Sequence, residues 1–235
     1  MEHDSLALCG AAGGAGTTWT TLATGTALAR DGHDVAVLDA AYATQGLANH
    51  VPGRLEPDMT ALCLDDEPLE SGLVDIGIDG GGRLAVCPAR APFERLARAK
   101  TADAAQRFES RIAEAARRFD SVLIDTPPVG ANQAVAAVTA AERTAIVCDG
   151  SRAADAVPRC RDRLADLGVE PTATVVTGAD DHPDADVAVP TLGTNPLEVC
   201  DHVDMHAAIS AVVEATLGVG VEPAADERLR DRLSL

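Results

Sequence analysis

Apolar residues fall in short blocks along this chain, and the blocks alternate between two periods. Runs at 5–9, 34–39, 83–87, 121–125, 143–148, 172–177 and 186–189 are nearly continuous and bounded by Gly, Pro or Asp. Such runs predict strands buried on both faces. Between them, apolar positions recur at helical spacing and predict helices over about 17–30, 102–119, 131–141, 153–167 and 205–217. The clearest is 102–119, where Phe108, Ile112, Ala115 and Phe119 share one face while Arg107, Glu109, Arg111, Glu114 and Arg118 lie off it. Met59, Leu62 and Leu64 predict one short helix within the charged stretch between Pro52 and Gly82, and 179–186 reads as an acidic turn. Strand and helix alternation of this kind predicts an α/β fold: a mostly parallel sheet of about seven strands with helices on both faces. One domain is expected over 1–220. A Gly-rich break at 218–220 sets off a tail over 221–235, expected as a short helix or disordered.

Composition narrows the class. Apolar residues make up 46% of the 235, so the chain is globular rather than disordered. Aromatics are only 2%, so the core must be built from Ala, Val, Leu and Ile. Acidic residues number 37 against 19 basic, a formal charge of −18, and Lys100 is the single lysine. That balance speaks against a general nucleic-acid surface, which needs clustered cations, and against anionic membranes. A salt-rich cytoplasm suits it, because screening shortens to about 3 Å at 1 M salt. The acidic start, Met1-Glu-His-Asp4, leads straight into a strand and does not read as a secretory signal. No apolar run approaches the ~18 residues of a membrane span. The cysteines Cys9, Cys63, Cys87, Cys148, Cys160 and Cys200 show no C-x-x-C spacing and read as buried hydrophobes in a reducing cytoplasm.

Two segments carry candidate chemistry. In the first, the strand Leu6–Cys9 runs into Gly10, Gly13, Gly14 and Gly16, and Thr17 and Thr18 open a helix. Glycines let a backbone curl so that successive amides point inward, and the helix adds its positive end, the layout of a phosphate-binding loop. The slot where such a loop carries its lysine is Thr17. In the second, Asp120-Ser-Val-Leu-Ile-Asp-Thr-Pro-Pro-Val129, an apolar strand ends in Asp125 before a turn fixed by two prolines. A carboxylate there orients magnesium and its waters in nucleotide hydrolases. Glycine loop, helix and a later strand ending in Asp-Thr-Pro-Pro form a specific combination.

With these segments the chain resembles the ParA/MinD family of P-loop proteins over roughly residues 4 to 217. Family members show Lys-Gly-Gly-x-Gly-Lys-Thr-Thr where this chain has Ala12-Gly-Gly-Ala-Gly-Thr-Thr-Trp19. They have a strand ending in Asp-x-Asp where this chain has Val35-Ala-Val-Leu-Asp39-Ala-Ala41. Leu55-Glu-Pro-Asp-Met-Thr-Ala-Leu62, Leu84-Ala-Val-Cys-Pro88 and Asp125-Thr-Pro-Pro128 are also similar to MinD-type sequence. The resemblance implies ATP or ADP with magnesium on Gly13, Gly14, Ala15, Gly16, Thr17, Thr18, Asp39 and Asp125, with Thr18 and Asp125 on the metal side. Ala12, however, replaces the signature lysine that reaches across a nucleotide-sandwich dimer. Thr17 replaces the lysine that grips the β- and γ-phosphates, and Ala41 the aspartate credited with positioning the attacking water. The adenine-reading Asn found near Thr177 in the family is also unmatched. Arg30, a whole helix away, does not stand in for the lost cations.

Each charged hydrogen bond lost is worth about 1.5–3 kcal/mol. Two lost lysines therefore weaken ATP by roughly two to four decades, and hydrolysis, which depends on positioned charge, suffers more. Nucleotide binding is thus expected to be weak or absent, and no residue is assigned as catalytic. Two functions stay open. One is a degenerate, non-hydrolysing adaptor or regulator in positioning, partition or cell-surface organisation. It would work through a protein partner such as an active relative, and associate as a homodimer without nucleotide. The other is a working ATPase switch. Ile124-Asp-Thr-Pro-Pro-Val129 is also similar to the related bacterial tyrosine kinases, but a single tyrosine, Tyr42, and no tyrosine-rich tail speak against that activity. Lesser candidates are a helical His202/His206 metal pair, a cation in the Asp180–Asp186 turn and an amphipathic tail around Leu229, Leu233 and Leu235. Each reads more simply as a helix start, a solvated loop and a packed or frayed end.

Overall fold

The computed structural model describes residues 4–221 apart from Arg54, Leu192 and Thr194. The parallel strands are β1 (Asp4–Gly10), β2 (Asp34–Asp39), β4 (Arg83–Cys87), β5 (Ser121–Thr126), β6 (Arg143–Asp149), β7 (Ala173–Thr177) and β8 (Val187–Val189), and β3 (Val74–Ile76) is antiparallel. They form one sheet in the order β3-β4-β2-β5-β1-β6-β7-β8. β1 is central, with Leu8 opposite Asp125 of β5 and Cys9 opposite Ile146 of β6. The chain winds one way from β1 to β2 and β4, then back across β1 from β5 to β6. That reversal opens the crevice at the carboxyl ends where α/β folds bind ligands.

Burial on both faces explains the continuous apolar runs, because each strand sends alternate side chains to two separate layers. Leu6, Leu8, Val35, Val37, Leu84 and Val86 pack against α1 (Thr17–Arg30) and α7 (Val203–Leu217). Ala7, Cys9, Ala36, Leu38, Ala85 and Cys87 face the other layer. That layer is built by α2 (Met59–Asp65), α3 (Phe93–Arg98), α4 (Ala102–Ala116), α5 (Asn132–Ala140) and α6 (Ala153–Ala165). The near-absence of aromatics lets helices sit close. A Cβ on Gly25 of α1 would lie 3.1 Å from Leu84, 3.3 Å from Val37 and 3.4 Å from Leu123.

All seven expected strands and all six expected helices form, and among the described residues one further strand and one further α-helix appear, beside short 3-10 turns. β3 is three residues long and pairs only with β4 at the sheet edge, too short for its alternation to register in sequence. α3 buries Leu96 alone, so it carries no helical period. The helix expected over 102–119 ends at Ala116. Phe119 is buried beyond it, under the Arg83 guanidinium at 5.1 Å. Arg111, placed off the apolar face by spacing, is 6% exposed: its guanidinium donates to the Glu67 carbonyl and pairs with Glu114 at 3.1 Å. Of the tail expected over 221–235, residues 222–235 lie outside the described residues.

Candidate functional site

The glycine turn between β1 and α1 is built as its sequence demands. Gly14 and Gly16 take φ of 74° and 80°, the left-handed region that only glycine enters freely. Gly16 begins α1 with no side chain capping it, which leaves the first turn to the helix's own positive end. Gly13 and Gly14 are exposed, whereas Ala15 is buried and anchors the loop. Thr177 at the end of β7 donates its hydroxyl to the Ala15 carbonyl at 2.9 Å. The residue that departs from an adenine-reading Asn therefore ties down the loop. Thr17 turns its hydroxyl back to Gly10, where an added Cβ would lie only 2.8 Å from Oγ1.

Two carboxylates lie behind the loop. Asp39 and Asp125 end adjacent strands as register partners, and their exposures are 0% and 1%. Thr18 donates from Oγ1 to Asp125 Oδ2 at 2.6 Å, a bond to a charged acceptor worth about 1.5–3 kcal/mol. Asp125 is pushed up to about 6 by burial, with the Thr18 hydroxyl pulling it back. Asp39 is pushed well above the carboxylate range, first by burial and then by the charge on Asp125. The Ala89 and Ala41 amides, at 2.9 and 2.7 Å, oppose that rise. Both oxygens of Asp39 thus serve the backbone, and of the two carboxylates Asp125 is the one engaged with the loop helix. Gly46 packs on Thr18, an added Cβ there standing 3.0 Å from Oγ1. Ala41 is 5% exposed.

A third buried carboxylate, Asp58, was not expected. It caps α2 through the Ala61 amide at 3.0 Å, accepts from the Arg90 amide at 2.6 Å and meets Arg95 at 3.1 Å. The signal was an Asp just before an apolar helical run.

Arg152 was missed as well: the sequence reading weighed only Arg30 as a replacement for the lost cations, and the arginine at the loop is Arg152. It follows β6 in the turn Gly150–Arg152 and donates from Nη2 to the Gly13 carbonyl. Asp149 shapes that turn by accepting the Ser151 amide at 3.0 Å. The sequence cue was an arginine just past a strand's carboxyl end. Its use required knowing that β6 lies beside β1. Arg30, at the far end of α1, pairs with Asp201 at 2.7 Å.

The histidine pair and the acidic turn resolve into structure, and the tail leucines lie outside the described residues. His206 is buried in α7 while His202 is exposed at its start. No group of three or more His, Cys, Asp or Glu side chains is placed to hold a metal among the described residues. In the acidic turn Asp186 accepts the Thr174 amide at 2.7 Å, binding the turn to β7. No described helix is long and apolar enough to cross a membrane.

The residues present fit an anion and a divalent cation unequally. Thr18 and Asp125, hydrogen-bonded at 2.6 Å, would be the pair to hold a cation, and the exposed glycines at the start of α1 would be the part to hold a phosphate. When bound, the cation would neutralise phosphate charge and the buried Asp125 together. The positions that would carry lysine hold Ala12 and Thr17, and among the described residues the Arg152 guanidinium reaches the loop at Gly13.

No protein-family model and no curated protein sequence matches the chain. Solved structures do. The septum site-determining protein MinD of Pyrococcus horikoshii, complexed with Mg-ADP, aligns with a TM-score of 0.74 over 91% of this chain and 95% of its own, at 18% identity. Cobyrinic acid a,c-diamide synthase of Mycobacterium smegmatis, with bound ATP analogue and magnesium, aligns with a TM-score of 0.68 over 94% and 99%, at 18% identity. A ParA family ATPase of Chlorobium tepidum gives 0.69 over 88% and 96%, at 16% identity. At these identities the likeness is one of fold: the chain has the ParA/MinD-like P-loop architecture.

Proposed function

We propose that this chain is a ParA/MinD-like protein whose nucleotide site no longer drives hydrolysis. It acts as an adaptor or regulator in positioning, partition or cell-surface organisation, through a protein partner. One observation carries the reading: around an intact glycine turn and Thr18–Asp125 pair, the three positions that need charge are Ala12, Thr17 and Ala41. Phosphoryl transfer proceeds by positioned charge, and a backbone cradle without it binds an anion weakly and does not activate water.

Arg152 supports a second reading, a switch that holds ATP and magnesium through loop amides, Thr18, Asp125 and the Arg152 guanidinium. Titration calorimetry with ATP–Mg in concentrated KCl, with phosphate release measured alongside, separates the two. Weak heats without turnover are expected, and micromolar affinity with turnover defeats the adaptor reading. The combined substitution Ala12→Lys, Thr17→Lys and Ala41→Asp is expected to raise ATP affinity by roughly two to four decades. No gain would count against the ligand assignment of the loop.

A further inference from the structure

The segment around α3 departs from the rest of the molecule in charge and in exposed aromatic surface. Against 37 acidic and 19 basic residues overall, Ala89-Arg-Ala-Pro-Phe-Glu-Arg-Leu-Ala-Arg-Ala-Lys100 holds Arg90, Arg95, Arg98 and Lys100 with Glu94 as its one acid. Phe93 is 85% exposed, while the chain's other phenylalanines, Phe108 and Phe119, are buried. Leaving such a ring in water forgoes about 1.5–3 kcal/mol.

The arginines divide into two kinds. Arg95 turns inward, its Nη2 lying 3.1 Å from Asp58 and 3.0 Å from the Arg90 carbonyl, and so braces the patch. Arg90 and Arg98 are exposed, and among the described residues no ion pair engages either side chain. The patch is wired to the candidate site. The Ala89 amide binds Asp39, the Arg90 amide binds Asp58 and Gln45 Nε2 binds the Ala91 carbonyl at 2.9 Å.

We propose that the segment carrying the exposed Phe93 together with Arg90 and Arg98 docks an acidic segment of a partner protein that lays an apolar residue against the ring. The proposal rests on the adaptor reading and names the chemistry of its partner. Charge decides the occupant. The chain's net charge of −18 repels an acidic partner elsewhere and leaves this patch as its landing place. A nucleic acid needs a longer track of cations. A symmetric dimer through the patch would set arginine against arginine.

The test is selection of a displayed random peptide library on the full chain, with binding of an enriched peptide then followed by fluorescence anisotropy. Enriched peptides are expected to be acidic with at least one apolar residue. Phe93→Ser and the pair Arg90→Glu with Arg98→Glu are each expected to weaken binding by about tenfold or more. These side chains are exposed, so an unchanged urea midpoint certifies the fold of each variant. Failure of any peptide to enrich, equal binding by glutamine-for-glutamate peptides, or unchanged binding by both variants overturns the proposal. So does tighter binding of a single-stranded oligonucleotide, or self-association that both variants abolish. ATP turnover would defeat the adaptor reading alone, and peptide failure without turnover would defeat the docking alone.

Discussion

Burial and a single hydrogen bond pull Asp125 in opposite directions, and burial wins. With its carboxyl raised to about 6, the protonated form is the one the fold favours. The stability this contributes is full below about pH 4 and is lost as pH rises through about 6. Asp125→Asn keeps an acceptor for Thr18 and removes the charge. Its stability relative to the parent should therefore rise by about 2–3 kcal/mol between about pH 4 and pH 8. Urea unfolding at the two pH values checks this, and a difference between variant and parent that does not change with pH would refute it. Arg152 acts from the other side of the loop. Arg152→Ala removes the guanidinium beside Gly13 and Gly14 and should weaken residual ATP–Mg binding by roughly tenfold or more in calorimetry. At this scale the sequence was legible where side chains act within their own segment, as at Gly14, Gly16 and Thr18. It was silent where contacts depend on strand neighbours, as between Arg152 and Gly13 or Thr177 and Ala15.

Secondary elements announce themselves by the length of their periodic signal. α4 spans fifteen residues with Phe108, Ile112 and Ala115 on its buried side, and its pattern was plain. β3 and α3 have three and six residues and left no period to read. Arg111 shows the limit of spacing alone. It enters the buried face of α4 because the carbonyl of Glu67 and the carboxylates of Asp66 and Glu114 meet its guanidinium, and those partners come largely from another element. α4 also carries one of the few aromatic contacts in the core. Phe108 meets Tyr42 edge to face at 6.2 Å, and the Tyr42 hydroxyl lies 3.6 Å from the Cys63 sulfur. With so few large rings, small neighbours such as Ala104, Ala105 and Ala115 have little volume with which to refill a void. Phe108→Ala should therefore cost about 3–5 kcal/mol, measured as a fall in urea midpoint at unchanged slope. A cost below about 1 kcal/mol would mean that this layer collapses around the gap.

Across the whole molecule, fold and charge answer to different parts of the sequence. The sheet order follows from apolar runs and crossovers, while the −18 charge is spread over surfaces that the fold leaves exposed. Two electrostatic effects compete when salt is added. Exposed ion pairs such as Arg83–Asp75 and Arg118–Glu70, at 2.7 and 2.9 Å, weaken, but each is worth only about 0–1 kcal/mol. Mutual repulsion of the surplus acids also weakens, and it acts over the whole surface. Screening shortens from about 10 Å at 0.1 M salt to about 3 Å at 1 M, so most of that repulsion vanishes over this range. The second effect outweighs the first because nearly twice as many acids as bases are present. The melting temperature should consequently rise with KCl between about 0.1 and 1 M, followed by circular dichroism at fixed pH. A flat or falling curve would show that the acidic surface is already neutralised by its own arginines, and would remove salt adaptation as the reason for the charge.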